Sequence, residues 1–201
     1  MTKEQEPILI DIPMPIVTDR ILLRVPQAGD GEVLFEGMKE TFDQLQQWMN
    51  PWAKELGTVD TAEATCRRAQ ARFLLREDIM ILAFEKDSNN FVGASGLHRF
   101  DWTLRRFEIG YWVRANAQGK GYATEITNAL TRFAFKQLEA RSVMIGHAAG
   151  NDRSKNVIRK LGFELEGHAK LAHELPNGDI VDEFTYSRTD IKGLPQLNVT
   201  W

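Results

Sequence analysis

Between Val113 and Thr124 an apolar stretch runs into Gln118-Gly119-Lys120-Gly121 and then into residues with helical spacing. This junction constrains the fold more than any other part of the chain. Glycines at 119 and 121 permit backbone angles closed to other residues and let peptide N–H groups approach a ligand. A helix opening near Tyr122 aims its unpaired amides and partial positive charge the same way, and Lys120 adds a full charge. The reading is a phosphate site on a strand-to-helix turn, with a plain glycine kink as the alternative. The spacing supports neither Gly-x-x-x-x-Gly-Lys-Ser/Thr nor Gly-x-Gly-x-x-Gly with a later acid.

The flanking segments say what kind of sheet carries the junction. Residues 18–24 read as a first strand ended by Pro26, and apolar positions Val33, Leu34, Met38, Phe42, Leu45 and Met49 predict a helix over 28–49, stopped by Pro51. Trp48 and Trp52 flank that stop, either as packing at the helix end or as the lining of a substrate mouth. A second helix is predicted over 61–77. Strands follow at 79–84, 91–97 and 106–113, the last feeding the glycine turn. After the turn come a half-buried helix carrying Ile126, Leu130 and Phe133, a strand at 142–147, and a short helix at 151–161. A hairpin at 163–175 and 180–187 turns on Pro176-Asn177-Gly178-Asp179. This order predicts an α+β fold, a mixed and mostly antiparallel sheet flanked by helices, with one strand-helix-strand crossover.

A chain of 201 residues suits one domain. Residues 1–17, with Pro7, Pro13 and Pro15, read as an extended arm, 18–188 as the domain, and 189–201 as a tail that docks on the core or on a second subunit. A net charge of −3 argues against nucleic acid as a partner. No apolar run approaches a membrane span and no basic-then-apolar leader is visible, so the expected location is cytoplasmic. Cys66, the single cysteine, and four scattered histidines offer no metal-binding spacing, so no metal is expected.

A second motif follows the glycine turn: Asn151-x-x-Ser154-x-x-Val157-x-x-Lys160-x-Gly162-Phe163. It reads by itself as a capped connecting helix, with Asn151 as N-cap and Gly162 as the C-terminal turn. Taken in order, Thr18-x-Arg20-Ile21-x-Leu23-Arg24, Glu108-Ile109-Gly110-Tyr111-Trp112-Val113, Gln118-Gly119-Lys120-Gly121-Tyr122-Ala123-Thr124-Glu125 and the Asn151 motif resemble the GNAT superfamily of N-acetyltransferases. Within it they look like the ribosomal-protein alanine/serine (RimJ/RimL-like) branch. The similarity spans about residues 16–188.

The resemblance implies the acyl-CoA N-acyltransferase (GNAT) fold and acetyl-coenzyme A as co-substrate, lying in a gap between the strand ending at Val113 and the strand at 142–147. Backbone groups of Trp112 and Val113 would bind the pantetheine arm, and Asn151 would hydrogen-bond it. Gln118, Gly119, Lys120, Gly121, Tyr122, Ala123 and Thr124 would cradle the pyrophosphate, with Arg114 either assisting or an ordinary strand-end arginine. The Val113 N–H is the candidate oxyanion donor. Glu108 is the candidate base, or else a strand charge paired with Arg105 or Arg106. Relatives often place a tyrosine acid where Ile158 stands here; Ser154 is the candidate substitute, or else a first-turn polar residue. Tyr111, on the strand face opposite Glu108, is expected in the core.

The expected reaction is direct attack of an amine on the thioester within a ternary complex. A protein N-terminal α-amine is the leading acceptor. A small-molecule amine such as an amino sugar, polyamine or amino acid derivative is the alternative, and a silent coenzyme A-binding module is the rival from another class. The resemblance is compatible with a homodimer.

Overall fold

The computed structural model describes residues 6–49 and 57–201. Pro51 and Trp52, expected to stop the first helix and flank its end, lie outside the described residues. Among those described, nine strands form one sheet in the order β7-β8-β6-β5-β4-β3-β2-β1-β9. The strands are β1 (Ile16–Thr18), β2 (Ile21–Arg24), β3 (Ile79–Glu85), β4 (Phe91–Asp101), β5 (Arg106–Val113), β6 (Ser142–Ala148), β7 (Glu164–Glu174), β8 (Ile180–Arg188) and β9 (Val199–Thr200). The helices are α1 (Gly31–Trp48), α2 (Val59–Leu75), α3 (Tyr122–Gln137) and α4 (Asp152–Lys160). Every strand pair is antiparallel except β5 with β6, which α3 joins as a crossover.

Strand alternation divides the core between the two sheet faces. On β3, Ile79, Ile81 and Ala83 join a cluster with Ile126, Leu130 and Phe133 of α3, Ile158 of α4 and Leu161 just after it. Met80, Leu82 and Phe84 join Leu34 and Leu45 of α1 and Ala62, Cys66 and Ala69 of α2. A strand covered on both faces has to read as the continuous apolar run seen at 79–84. Fully burying a side chain such as Phe107 or Phe133, each 0% exposed, contributes about 1.5–3 kcal/mol. Burial pushes the Cys66 thiol up to about 11, which keeps it a packed protonated thiol.

Several elements differ from the sequence expectation for local reasons. The first strand is two, because the Thr18 hydroxyl accepts from the backbone N–H groups of Arg20 and Ile21 and turns the chain. Helix α2 starts at a Thr58 cap rather than at Thr61. The Thr58 and Thr61 side chains each accept the other's backbone N–H, closing a capping box with threonine in the place usually held by glutamate.

The described part of the arm and the tail both reach the sheet. Ile12 and Ile16, drawn in the arm, are buried in the α3-side core, and β1 begins at Ile16. In the tail, β9 pairs Val199 with Thr18 and Thr200 with Val17, while the Trp201 ring meets Phe133 edge-on at 5.9 Å. The tail therefore docks on its own core. Among the described residues no helix is long and apolar enough to cross a membrane.

Candidate active site

The parallel ladder between β5 and β6 is short. It pairs Arg106 with Ser142, Phe107 with Val143 and Glu108 with Met144, then stops, although β5 continues to Val113 and β6 to Ala148. Beyond Glu108 the strands diverge, and β6 is held on its far side by β8. A groove of about 1360 Å³ occupies this gap and runs to the glycine turn.

The groove brings together almost every predicted site residue. Glu108, Trp112, Val113, Gln118, Gly119, Gly121, Tyr122, Ala123, Thr124, Asn151 and Ser154 all border it, and Lys120 does not. The Lys120 side chain is exposed and its carbonyl accepts from Arg20 Nη1 at 3.1 Å. Its predicted charge thus sits outside the groove wall.

Glycines 119 and 121 take φ of +75° and +85°, the left-handed region expected of this turn, and Gly121 caps α3. The Gln118 side chain braces the turn from within. Its Nε2 donates to Val113 O at 3.0 Å and to Gln44 Oε1 of α1 at 2.9 Å, and its Oε1 accepts from Arg153 Nη1 of α4 at 2.7 Å. Tyr122 lines the groove while its hydroxyl donates to Glu85 Oε1 at 2.7 Å. Arg114 is paired with Glu40 at 2.6 Å, so its charge serves the α1 contact.

The ladder corrects one assignment on β5. Arg114 N–H donates to Val92 O, and successive residues of an antiparallel strand alternate direction, so the backbone groups of Trp112 face Ala94 on β4. Those of Tyr111 and Val113 face the gap. Trp112 therefore contributes its side chain to the wall, packed among the α1 and α2 residues, and cannot offer backbone hydrogen bonds to a pantetheine arm. Val113 keeps its N–H toward the gap.

The two candidate catalytic side chains stand on opposite faces of the sheet. Glu108 shares the face of Trp112, and its Oε2 accepts from Arg99 Nη1 at 2.9 Å, in place of the Arg105 or Arg106 pairing considered from sequence. Arg106 instead meets Glu166 at 2.5 Å. Ser154 lies on the α4 side, where its N–H is capped by Asn151 Oδ1 at 3.1 Å. Asn151 thus spends its carboxamide oxygen on the helix N-terminus and keeps its Nδ2 hydrogens as donors.

Two groups escaped the sequence reading. Tyr111 is on the face opposite Glu108, as expected, but that face carries α4, and its hydroxyl reaches Ser154 Oγ at 3.0 Å. Burial pushes the Tyr111 phenol up to about 12, with the Ser154 hydrogen bond opposing the rise. The second is Glu183 of β8. A Cβ at Gly146 would sit 3.4 Å from Glu183 Oε1 and 3.8 Å from Glu108 Oε1, so both carboxylates flank one bare patch of β6. The β6-β8 register, which places Glu183 opposite Ala148, is the signal that finds it, and it is absent from the local sequence.

Residues 20–164 match the family model described as an acetyltransferase (GNAT) domain. The chain belongs to the GNAT acetyltransferase family. This GNAT domain is 32% identical to the uncharacterized N-acetyltransferase YnaD of Bacillus subtilis (strain 168), covering 87% of this chain and 96% of that one. It is 29% identical to the Escherichia coli (strain K12) ribosomal-protein-serine acetyltransferase, over 72% of this chain and 78% of that one. Its fold superposes with a TM-score of 0.81 on RimL, a ribosomal L7/L12 α-N-protein acetyltransferase solved with coenzyme A, at 24% identity over 90% of this chain and 98% of that one. As a GNAT N-acetyltransferase it takes its acyl group from acetyl-coenzyme A. A glycine turn at one end and a strand gap at the other fit the elongated shape of that co-substrate.

Proposed function

We propose that this GNAT enzyme acetylates protein N-terminal α-amines, binding acetyl-coenzyme A and acceptor together and transferring the acetyl group in one direct attack. The observation that carries the reading is the divergence of β5 from β6, which leaves a passage between Glu108 on one sheet face and Ser154 on the other. The pyrophosphate lies on the amides of residues 118–124, with Asn151 Nδ2 and the gap-facing backbone groups of Tyr111 serving the pantetheine arm. The thioester then sits in the gap, with the amine arriving from the Glu108 side and the sulfur turned toward Ser154.

Each step has a group to serve it. Glu108 takes a proton from the attacking amine, directly or through water. The Val113 N–H donates to the oxyanion of the tetrahedral intermediate. Ser154 Oγ, 3.0 Å from the Tyr111 hydroxyl, passes its proton to the departing thiolate as it takes one from that hydroxyl or from solvent in the groove, so that no alkoxide is left behind. The demand on Glu108 is modest for this acceptor class. An α-amine near pKa 7.8 is roughly a tenth neutral at pH 7, whereas a lysine amine near 10.4 is neutral in fewer than about one molecule in a thousand.

The names of two Escherichia coli relatives, a ribosomal-protein-serine acetyltransferase and a ribosomal protein uS5-alanine N-acetyltransferase, support a ribosomal protein as the acceptor, and a cytoplasmic reaction accords with that reading. The test is coenzyme A release over a panel of N-terminal peptides, including serine and alanine termini, beside amino sugars and polyamines. Peptide turnover with product mass placing the acetyl group on the α-amine is the expected result. Preferential turnover of a small amine overturns the acceptor class, and no turnover of any acceptor overturns catalysis.

A further inference from the structure

The turn that holds the pyrophosphate in this reading is itself held by a residue a hundred positions earlier in the chain. Arg20, at the β1-β2 hairpin, donates through Nη1 to the carbonyl of Lys120 at 3.1 Å. Its Nε donates to Glu125 Oε2 at 2.7 Å, and Nη2 reaches the same oxygen. The guanidinium lies 4.8 Å above the Tyr122 ring, whose hydroxyl is fixed by Glu85. The Thr18 hydroxyl completes the cluster by donating to Glu125 Oε1 at 2.6 Å.

Two consequences follow from elementary geometry and charge. In a trans peptide the carbonyl and the N–H point in opposite directions, and the Lys120-Gly121 bond is trans. Holding the Lys120 carbonyl toward Arg20 therefore turns the Gly121 N–H the other way, and Gly121 lines the groove. The second concerns Glu125, an acid in the first turn of α3 whose side chain is only 9% exposed. A bare carboxylate there would compete with a phosphate for the positive end of the helix. Arg20 forks onto it and cancels that charge.

We propose that Arg20 is a positioning residue for the acetyl-coenzyme A pyrophosphate, acting through the Lys120-Gly121 peptide and through neutralisation of Glu125. The proposal rests on the assignment of the pyrophosphate to residues 118–124. It concerns the donor alone, so its signature is a defect confined to the pyrophosphate-bearing half of the reaction.

The test compares acetyl-coenzyme A with S-acetylpantetheine, which carries the same thioester and no pyrophosphate. Arg20→Gln is expected to raise KM for acetyl-coenzyme A about tenfold, the scale of one charge-assisted hydrogen bond, with a much smaller effect on S-acetylpantetheine and on acceptor KM. Arg20→Lys keeps the charge without the fork and is expected to recover only part of the loss. Adding Glu125→Gln to Arg20→Gln removes the uncancelled carboxylate and is expected to improve coenzyme A binding, read directly by calorimetry. An unchanged KM, or an equal loss on both thioesters, overturns the role of Arg20. Gly121→Trp keeps the two failures apart: tight coenzyme A binding by that variant overturns the loop assignment itself, whereas lost binding beside a normal Arg20→Gln overturns only the arginine.

Discussion

The Tyr111 hydroxyl lies 3.0 Å from Ser154 Oγ and joins β5 to the first turn of α4 across the sheet face opposite Glu108. A phenol pushed up to about 12 stays protonated through the neutral range. Ser154→Ala is expected to lower kcat by roughly a hundredfold, the lower end of general acid catalysis. Tyr111→Phe removes only the polarising hydrogen bond and is expected to cost severalfold. Steady-state kcat for both variants at saturating acetyl-coenzyme A decides this. Equal losses would make the tyrosine the proton donor, and a full-rate Ser154→Ala would remove the serine from the chemistry.

In the proposed reaction Glu108 receives the proton of the incoming amine, and Glu108→Gln keeps its size while deleting its basicity. The variant is expected to lose kcat/KM and the acid limb of its pH-rate profile. A profile superimposable on that of the parent would assign the carboxylate to its Arg99 pairing alone.

Gly146 leaves β6 bare between Glu108 and Glu183. A methyl group there meets both carboxylates at ordinary contact distance, 3.4 and 3.8 Å, so Gly146→Ala is expected to fold normally. In the proposed reaction the same methyl narrows the amine approach. Acceptor KM is expected to rise severalfold with acetyl-coenzyme A KM unchanged; a rise in the latter alone would put the donor, not the amine, over this patch.

Glu85 is held down to about 2, first by the Ser88 hydroxyl, then by the Tyr122 hydroxyl and Asn90 amide. A carboxyl depressed in the folded state stabilises above its ordinary value of 4.5, and that stabilisation is lost as pH falls toward 2. Melting temperature against pH is expected to fall less steeply on the acid side for Glu85→Gln than for the parent. Parallel curves would show that the carboxylate contributes nothing to acid sensitivity.

The sheet that carries the groove was readable where a local rule decides the outcome. Strand β5 occupies the predicted residues, 106–113, because its apolar run lies between a turn at 101–105 and the approach to the glycine turn. The short α4 follows its Asn151 cap, and the crossover through α3 follows from strand, helix and strand in succession. What stayed hidden depends on neighbours distant in the chain. Side-chain alternation placed Glu108 and Tyr111 on opposite faces, but which helix covers each face is set by α1, α2 and α4 docking. The backbone of Trp112 faces β4 because the β4-β5 register fixes which alternate residues bond to β4, and that register is not written in the local sequence. The Arg114-Glu40 and Arg99-Glu108 pairs are likewise choices among many charges that the local sequence leaves equivalent.

The Gln118 carboxamide touches β5, α1 and α4 at once, through Val113, Gln44 and Arg153. Gln44, Leu45 and Trp48 of α1 border the same groove, which in the proposed reaction also admits the amine. A donor that orders the glycine turn therefore also steadies the wall met by the second reactant. The kinetic corollary is a compulsory sequence, thioester first and amine second, which predicts that coenzyme A inhibits competitively against acetyl-coenzyme A and noncompetitively against the amine.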